Sequence, residues 1–416
     1  MKFKTKLLFA LCPVLFSVNV LAQSFVNYDE ESLRNSKEAL NNKTAQAESM
    51  FAYTELLALA DSLLKLQNPT VMDKKLSPPT GDKHDYLSIS RYWWPDESKS
   101  DGLPWIRKDG QTNPSTQNND VDKQRIELTT RSIETLALAY YFSGEDKYAE
   151  KGVSLIRTWF LNEDTFMNPN LEFAQSVPGN NKGRRSGILD GRIIPQRVLD
   201  AITIFSGSEY WSEKDDKQMT AWLTEYLSWL TTSELGKEGA KQTNNHGSWY
   251  EYQVAAVSYY LGETKLTKQA VKNAEAIFAQ QFDSKGAQPH ELDRTRSYFY
   301  STFNLEAITS TAIIAEKVGL SMWDYESEDN ATLIKGIDFL IPAANGGKWE
   351  YNSSVEGVTP DYLAPILAAI PDRLRSEEQS ELLTNLLYGL EKNNNKKTYQ
   401  DEIYNKFLLQ MPQYIK

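Results

Sequence analysis

The sequence predicts an all-α fold, a single α/α toroid (an incomplete α/α barrel) of concentric helical hairpins, and three observations predict it. Strand-like alternation is rare, whereas apolar residues recur at three- and four-residue intervals along most of the chain. A phrase of apolar helix, Gly-containing turn and second helix appears three times, over 137–160, 201–230 and 255–278. In each phrase the first helix is small and apolar and the second more charged, which suits an inner ring wrapped by an outer one.

Taken in order, residues 1–22 read as a secretory signal peptide. Lys2, Lys4 and Lys6 precede the apolar run 7–20, and Leu21-Ala22-Gln23 offers a small residue at the cut. The run is too short for a comfortable membrane span. The expectation is a periplasmic or secreted protein whose mature chain, 23–416, is one domain. Residues 30–67 carry Leu33, Leu40, Met50, Leu56, Leu57, Leu63 and Leu64 at helical spacing. The stretch 68–120 is rich in Pro, Gly, Asp and Asn, and irregular segments of that length usually bind something. Hairpins follow, with glycine turns near 144, 207 and 262. Further helices are expected over 295–318, 330–342, 360–370 and 376–391. An open α-solenoid fits the same periodicity.

Composition narrows the function. Among 416 residues, 40% are hydrophobic and 12% aromatic, which excludes a disordered chain. Lys+Arg 45 against Asp+Glu 56 gives a net charge of -11, which argues against a nucleic-acid partner. An acidic ligand then requires a locally basic site. The single cysteine, Cys12, falls in the signal peptide, so disulfides, thiol nucleophiles and Cys-based zinc sites are excluded from the mature chain. The three histidines, His84, His246 and His290, have no metal-binding spacing, and neither a metal nor another cofactor is expected.

Three clusters carry candidate chemistry. The first is NNHGSWYEYQ, where Asn244, Asn245 and His246 suit a helix start and Trp249 shares the first turn with His246. The second is QPHELDRTRSYFYSTFNLEA. Arg294 and Tyr298, and Arg296 and Tyr300, are i,i+4 pairs able to set a guanidinium beside a phenol and lower its pKa. The third joins Arg91, Trp93, Trp94, Trp105, Arg107 and Lys108 to Asn168, Asn170, Gln175, Arg184, Arg185 and Arg192. Aromatic platforms interleaved with arginines and amides suit a sugar ring that carries a carboxylate.

In RYWWPD…GLPWIRKDGQTNP, MNPNLEFAQ, NNHGSWYEYQ and ELDRTRSYFYSTFNLEA, over about 85–345, the sequence resembles bacterial alginate lyase domains. The resemblance implies an α/α toroid that cleaves an acidic polysaccharide, alginate or a related polyuronate, by β-elimination without a required metal. It assigns catalysis to Asn245, His246, Arg294 and Tyr300. Arg91, Trp93, Trp94, Gln175, Asn244, Trp249, Arg296 and Tyr298 are the candidate substrate contacts. The Arg-to-Tyr spacing is one residue shorter than in better-known members, and Ser301 replaces the histidine that follows their tyrosine. Arg296 therefore competes with Arg294, and Tyr298 with Tyr300.

The elimination itself needs a neutralised C6 carboxylate, a base for the C5 proton and an acid for the departing O4. Tyr300 can be the acid, and either Tyr300 or His246 the base. Alternatives are a glucuronan lyase on the same scaffold, a glycoside hydrolase using Glu251, Glu291 or Asp293, and a carbohydrate-binding solenoid without turnover.

Overall fold

The computed structural model describes residues 24–180 and 183–392. The signal-peptide expectation for 1–22 lies outside them. Two helices, α1 (Glu30–Asn41) and α2 (Ala47–Leu63), stand where one was expected over 30–67. The break falls at Asn41-Asn42-Lys43-Thr44, where Lys43 takes a left-handed φ of 57° that no helix can continue through. The irregular stretch contains three short strands, β1 (Leu87–Ile89), β2 (Trp93–Trp94) and β3 (Ile106–Arg107).

The first hairpin is α3 (Lys123–Ser143) with α4 (Asp146–Ile156), closed by Gly144 at a φ of 72°. Strand β4 (Phe173–Ser176) then pairs in parallel with β1, while β2 and β3 pair antiparallel. The β1–β4 pair ties 68–120 to the rest of the chain, while β2 and β3 brace that stretch internally.

The inner member of the second hairpin is broken into α5 (Ile188–Gly191), α6 (Ile193–Arg197) and α7 (Leu199–Phe205). Pro195 has no N–H to return to the preceding turn, which explains an interruption there. Its outer partner is α8 (Glu213–Thr232), followed by α9 (Glu234–Ala240). The third hairpin is α10 (Asn245–Tyr260) and α11 (Thr264–Gln281). A short α12 (Pro289–Leu292) leads into the long α13 (Ser297–Lys317). The helix expected over 330–342 is divided into α14 (Leu333–Asp338) and α15 (Ile341–Ala344), with Pro342 in the new first turn. The last two are α16 (Ala364–Ala369) and α17 (Glu377–Lys392).

Inner helices pack in succession, α3 on α7, α10 on α13 and α13 on α16, while α4, α11 and α17 back their partners from outside. This is the expected α/α toroid. Nearly every residue of α10 and about two thirds of those in α13 are buried, and the rest of α13 is half-buried apart from Glu316, so neither helix shows an exposed polar face. Their side chains fill one continuous core that includes Trp159, Trp249, Tyr252 and Tyr298. At the Lys317 end of α13 the backbone N–H groups of Val26, Asn27 and Tyr28 donate to the Asp200 carboxylate, at 2.5, 2.8 and 3.0 Å. The opposite end of α13 carries the candidate residues Arg294, Arg296 and Tyr300.

Candidate active site

Helix α10 begins where the sequence suggested. Asn244 is extended and caps the helix, its side-chain oxygen accepting from the His246 N–H at 3.1 Å. Asn245 follows, 1% exposed, and Glu291 of α12 holds it at two points. The Asn245 N–H and its Nδ2 each donate to a Glu291 carboxylate oxygen at 2.8 Å. Burial raises the Glu291 pKa even against those two donors. The Asn245 Oδ1 is buried without a protein partner, as is the His246 Nδ1.

Helix α13 lies beside α10. Trp249, one turn into α10, and Phe303, nearly two turns into α13, meet with ring centroids 5.0 Å apart. The first turns of the two helices therefore share one mouth. Because α13 starts at Ser297, both arginines precede the helix and the expected i,i+4 pairs do not form. Arg294 instead lies over the Tyr300 ring, 3.7 Å from its centroid, and Arg296 over Phe299 at 4.3 Å.

Residues that the sequence reading missed complete the mouth. The Tyr300 hydroxyl donates to the Tyr92 oxygen at 3.0 Å, and Arg296 Nη1 donates to the same oxygen at 3.2 Å. Asp109 takes both Nε and Nη2 of Arg294, at 3.2 and 2.8 Å, and also pairs with Arg107. Burial alone would raise Asp109, but the two guanidiniums hold its carboxyl below the usual range. Tyr92 and Asp109 both lie in the stretch 68–120. Their signal was present in RYWW and RKDG but was hidden among residues read as sugar platforms.

Electrostatics assign protonation states. Burial, with the charges of Arg185, Arg294, Arg184 and Arg107, pushes the His246 pKa down to about 3, so the free imidazole is neutral. Four guanidiniums that act on one imidazole make this mouth basic in a chain of charge -11. The expected lowering of the tyrosine pKa does not occur. Burial and Tyr92 raise Tyr300 well above the ordinary value, and the opposing charge of Arg294 does not overcome them.

Two expected substrate contacts are corrected. Trp249 is fully buried, covered by Phe303 and by the Arg192 guanidinium 5.5 Å from its ring, and offers no face to a ligand. Tyr298 is likewise fully buried, edge-on to Trp349 at 5.3 Å. Both point into the seam between inner helices, where amphipathic reasoning cannot separate inward from mouthward. Arg296 has its donors engaged by Glu356 and Tyr92, so it supports the mouth rather than reaching out of it.

The other expected contacts are accessible. Arg91 is exposed, and Trp93 and Trp94 are half-buried. Arg184 sits 4.9 Å from the Trp93 ring, and Lys108 5.1 Å from that of Trp94. Gln175 is half-buried at a left-handed φ of 48°, its side chain donating to Asp190 at 3.0 Å. Such a backbone persists only where its surroundings enforce it.

Comparison with known proteins places the chain among relatives. A family model described as alginate lyase matches residues 70–349. A crystal structure of an alginate lyase from Bacteroides ovatus is 31% identical with a TM-score of 0.83, covering 92% of this chain and 99% of that one. Alginate lyase A1-III from Sphingomonas species A1 is 14% identical with a TM-score of 0.52, covering 86% and 92%, which is a likeness of fold. A variant of A1-III complexed with a tetrasaccharide superposes with a TM-score of 0.56 at 14% identity, covering 85% and 92%. No curated protein matches the chain.

Proposed function

The chain belongs to the alginate lyase family and is a polysaccharide lyase, and from that premise we propose that it cleaves alginate or a closely related polyuronate by β-elimination, with Tyr300 as acid and His246 as base. The observation that carries this reading is the basic mouth, where Arg107, Arg184, Arg185 and Arg294 surround a neutral His246. A polyuronate brings one carboxylate per sugar, and its charge offsets a field that the net charge of the chain opposes.

The chemistry follows from the protonation states. A carboxylate at the mouth is met by Arg294 and by the second N–H of the Asn245 amide, the first being fixed on Glu291. These donors stabilise the negative charge that builds on C6 as the C5–H bond breaks. His246 receives that proton as a neutral imidazole, and incoming carboxylates raise its basicity by opposing the arginines. As the C4–O4 bond breaks, the protonated Tyr300 gives its hydroxyl proton to O4. The C4=C5 double bond remains, conjugated to the carboxylate.

A hydrolase would need two carboxyls facing one bond. Glu291 is committed to Asn245, and Glu251 is 2% exposed beside Asn273 of α11, so neither supports that reading. Export follows as a proposal from the N-terminal pattern. Among the described residues no helix is long and apolar enough to cross a membrane.

The test is absorbance at ~235 nm during incubation with polymannuronate, polyguluronate and glucuronan, because the unsaturated product reports elimination directly. A rise is expected with at least one polymer. New reducing ends without any rise would refute elimination.

A further inference from the structure

The proton donor at the mouth is anchored from a segment that runs past the end of the family match. Residues 346–359 cross the turn that precedes α13: the Ser297 N–H donates to the Asn352 carbonyl at 3.1 Å, and the Val355 N–H to that of Thr295 at 3.1 Å. The Trp349 indole N–H donates to Ser297 Oγ at 2.8 Å. On this segment Glu356 pairs with Arg296 and also accepts from the Tyr362 hydroxyl at 3.0 Å. Glu356 lies outside the matched residues 70–349, whereas Tyr92, Arg296 and Tyr300 lie within them.

The hydrogen bonds form a chain from carboxylate to phenol. Glu356 accepts from Arg296, Arg296 donates to Tyr92, and Tyr300 donates to the same Tyr92 oxygen. With both lone pairs of Tyr92 engaged, the orientation of Tyr300 depends on where Arg296 sits.

We propose that Glu356 is a positioning residue for the elimination: it fixes Arg296 against Tyr92 and balances its charge, so that the Tyr300 ring is held at the mouth and its phenol stays protonated until the hydroxyl turns from Tyr92 to the leaving oxygen. The inference rests on the reading of Tyr300 as the acid. Without Glu356, Arg296 is an unbalanced cation beside two phenols, a change that favours phenolate. The other charged and titratable groups facing the pair are Arg294, Asp109 and, through Asp109, Arg107; Asp361 acts on Tyr362. None of them is altered by a change at position 356.

The experiment compares the wild type with Glu356→Gln on a polyuronate that the wild type cleaves, following kcat and KM across pH. The expected result is a kcat about tenfold lower at neutral pH, a KM within about twofold, and an alkaline limb moved at least about half a pH unit lower. In the Arg296→Gln background the second substitution should add little, since its route is gone. A melting curve confirms folding, and Glu356→Ala, with the same expectation, replaces the Gln variant if that variant does not fold. A fall in kcat with the limb unmoved, or full additivity with Arg296→Gln, would overturn the inference. A wild type without absorbance change on any polyuronate would instead overturn the lyase reading beneath it.

Discussion

The mouth is built from two unlike regions. The first turns of α10 and α13 present Asn245, His246 and Tyr300 from largely buried helices, and a buried Glu291 fixes the first of them. The stretch 68–120 is anchored through short strands and individual side chains, and supplies Tyr92, Asp109, Arg107 and the half-buried Trp93 and Trp94. In the first region, residue position follows from helix geometry. In the second it follows from long-range pairs such as Asp109 with Arg294, 185 positions apart. The lesson is a division of labour: helix ends hold the groups proposed to move protons, and the looped stretch trims their charge.

The sharpest way to break that comparison is to delete the acid. Tyr300→Phe keeps the ring under Arg294 and removes only the hydroxyl, so kcat should fall about 10³-fold with KM little changed, read by absorbance at ~235 nm. His246→Ala should cost about 10²–10³-fold by the same assay. A fall confined to KM in either variant would move the chemistry to the other region.

The next effect is on stability. Trp249→Ala empties a fully buried site between α10 and α13 and should cost about 3–5 kcal/mol in denaturant unfolding. Trp93→Ala, at a half-buried site, should cost under about 1 kcal/mol and instead raise KM several-fold. If Trp249→Ala were the one to raise KM without loss of stability, its burial in the core would be refuted.

These two tryptophans mark the boundary of what the sequence made legible. Helix periodicity, the hairpin repeat and the N-cap at Asn244 depend on local spacing, and the structure carries all of them. Which side of α10 faces the mouth was not legible. A helix buried on every side has no polar stripe to orient it, so Trp249 and His246 looked equivalent. Tyr92 and Asp109 were missed for another reason, because their partners Tyr300 and Arg294 lie about two hundred residues away and no local pattern pairs them. The expected phenol pKa had the wrong sign because spacing shows the nearby charge but not the burial that opposes it.

Helix α10 also carries a buried carboxyl outside the mouth. Burial pushes the Glu251 pKa up to about 8 from an ordinary 4.5, with only the Asn273 amide, at 3.3 and 3.4 Å, in support. A raised carboxyl contributes stability that is complete below pH 4.5 and is lost as pH climbs through about 8. Glu251→Gln should therefore match the wild type in acid and exceed it at high pH by on the order of 2–4 kcal/mol, with kcat at neutral pH unchanged. Melting curves from pH 5 to pH 9 check this, and parallel curves would sink it.

The last expected effect, smaller than that at Tyr300, tests the looped region alone. Tyr92→Phe removes an oxygen that accepts from both Tyr300 and Arg296, while leaving both helix ends intact. Tyr300 then keeps its acid function but loses the partner that holds its hydroxyl in place, so kcat should fall about tenfold, roughly two orders less than for Tyr300→Phe. The sign of the pH effect is fixed as well. Tyr92 contributes to the raised Tyr300 pKa, so its loss lets that value drop and the alkaline limb of kcat moves to lower pH. Should Tyr92→Phe instead match Tyr300→Phe in rate, the looped stretch would itself be delivering the proton, and the division between the two regions would have to be redrawn.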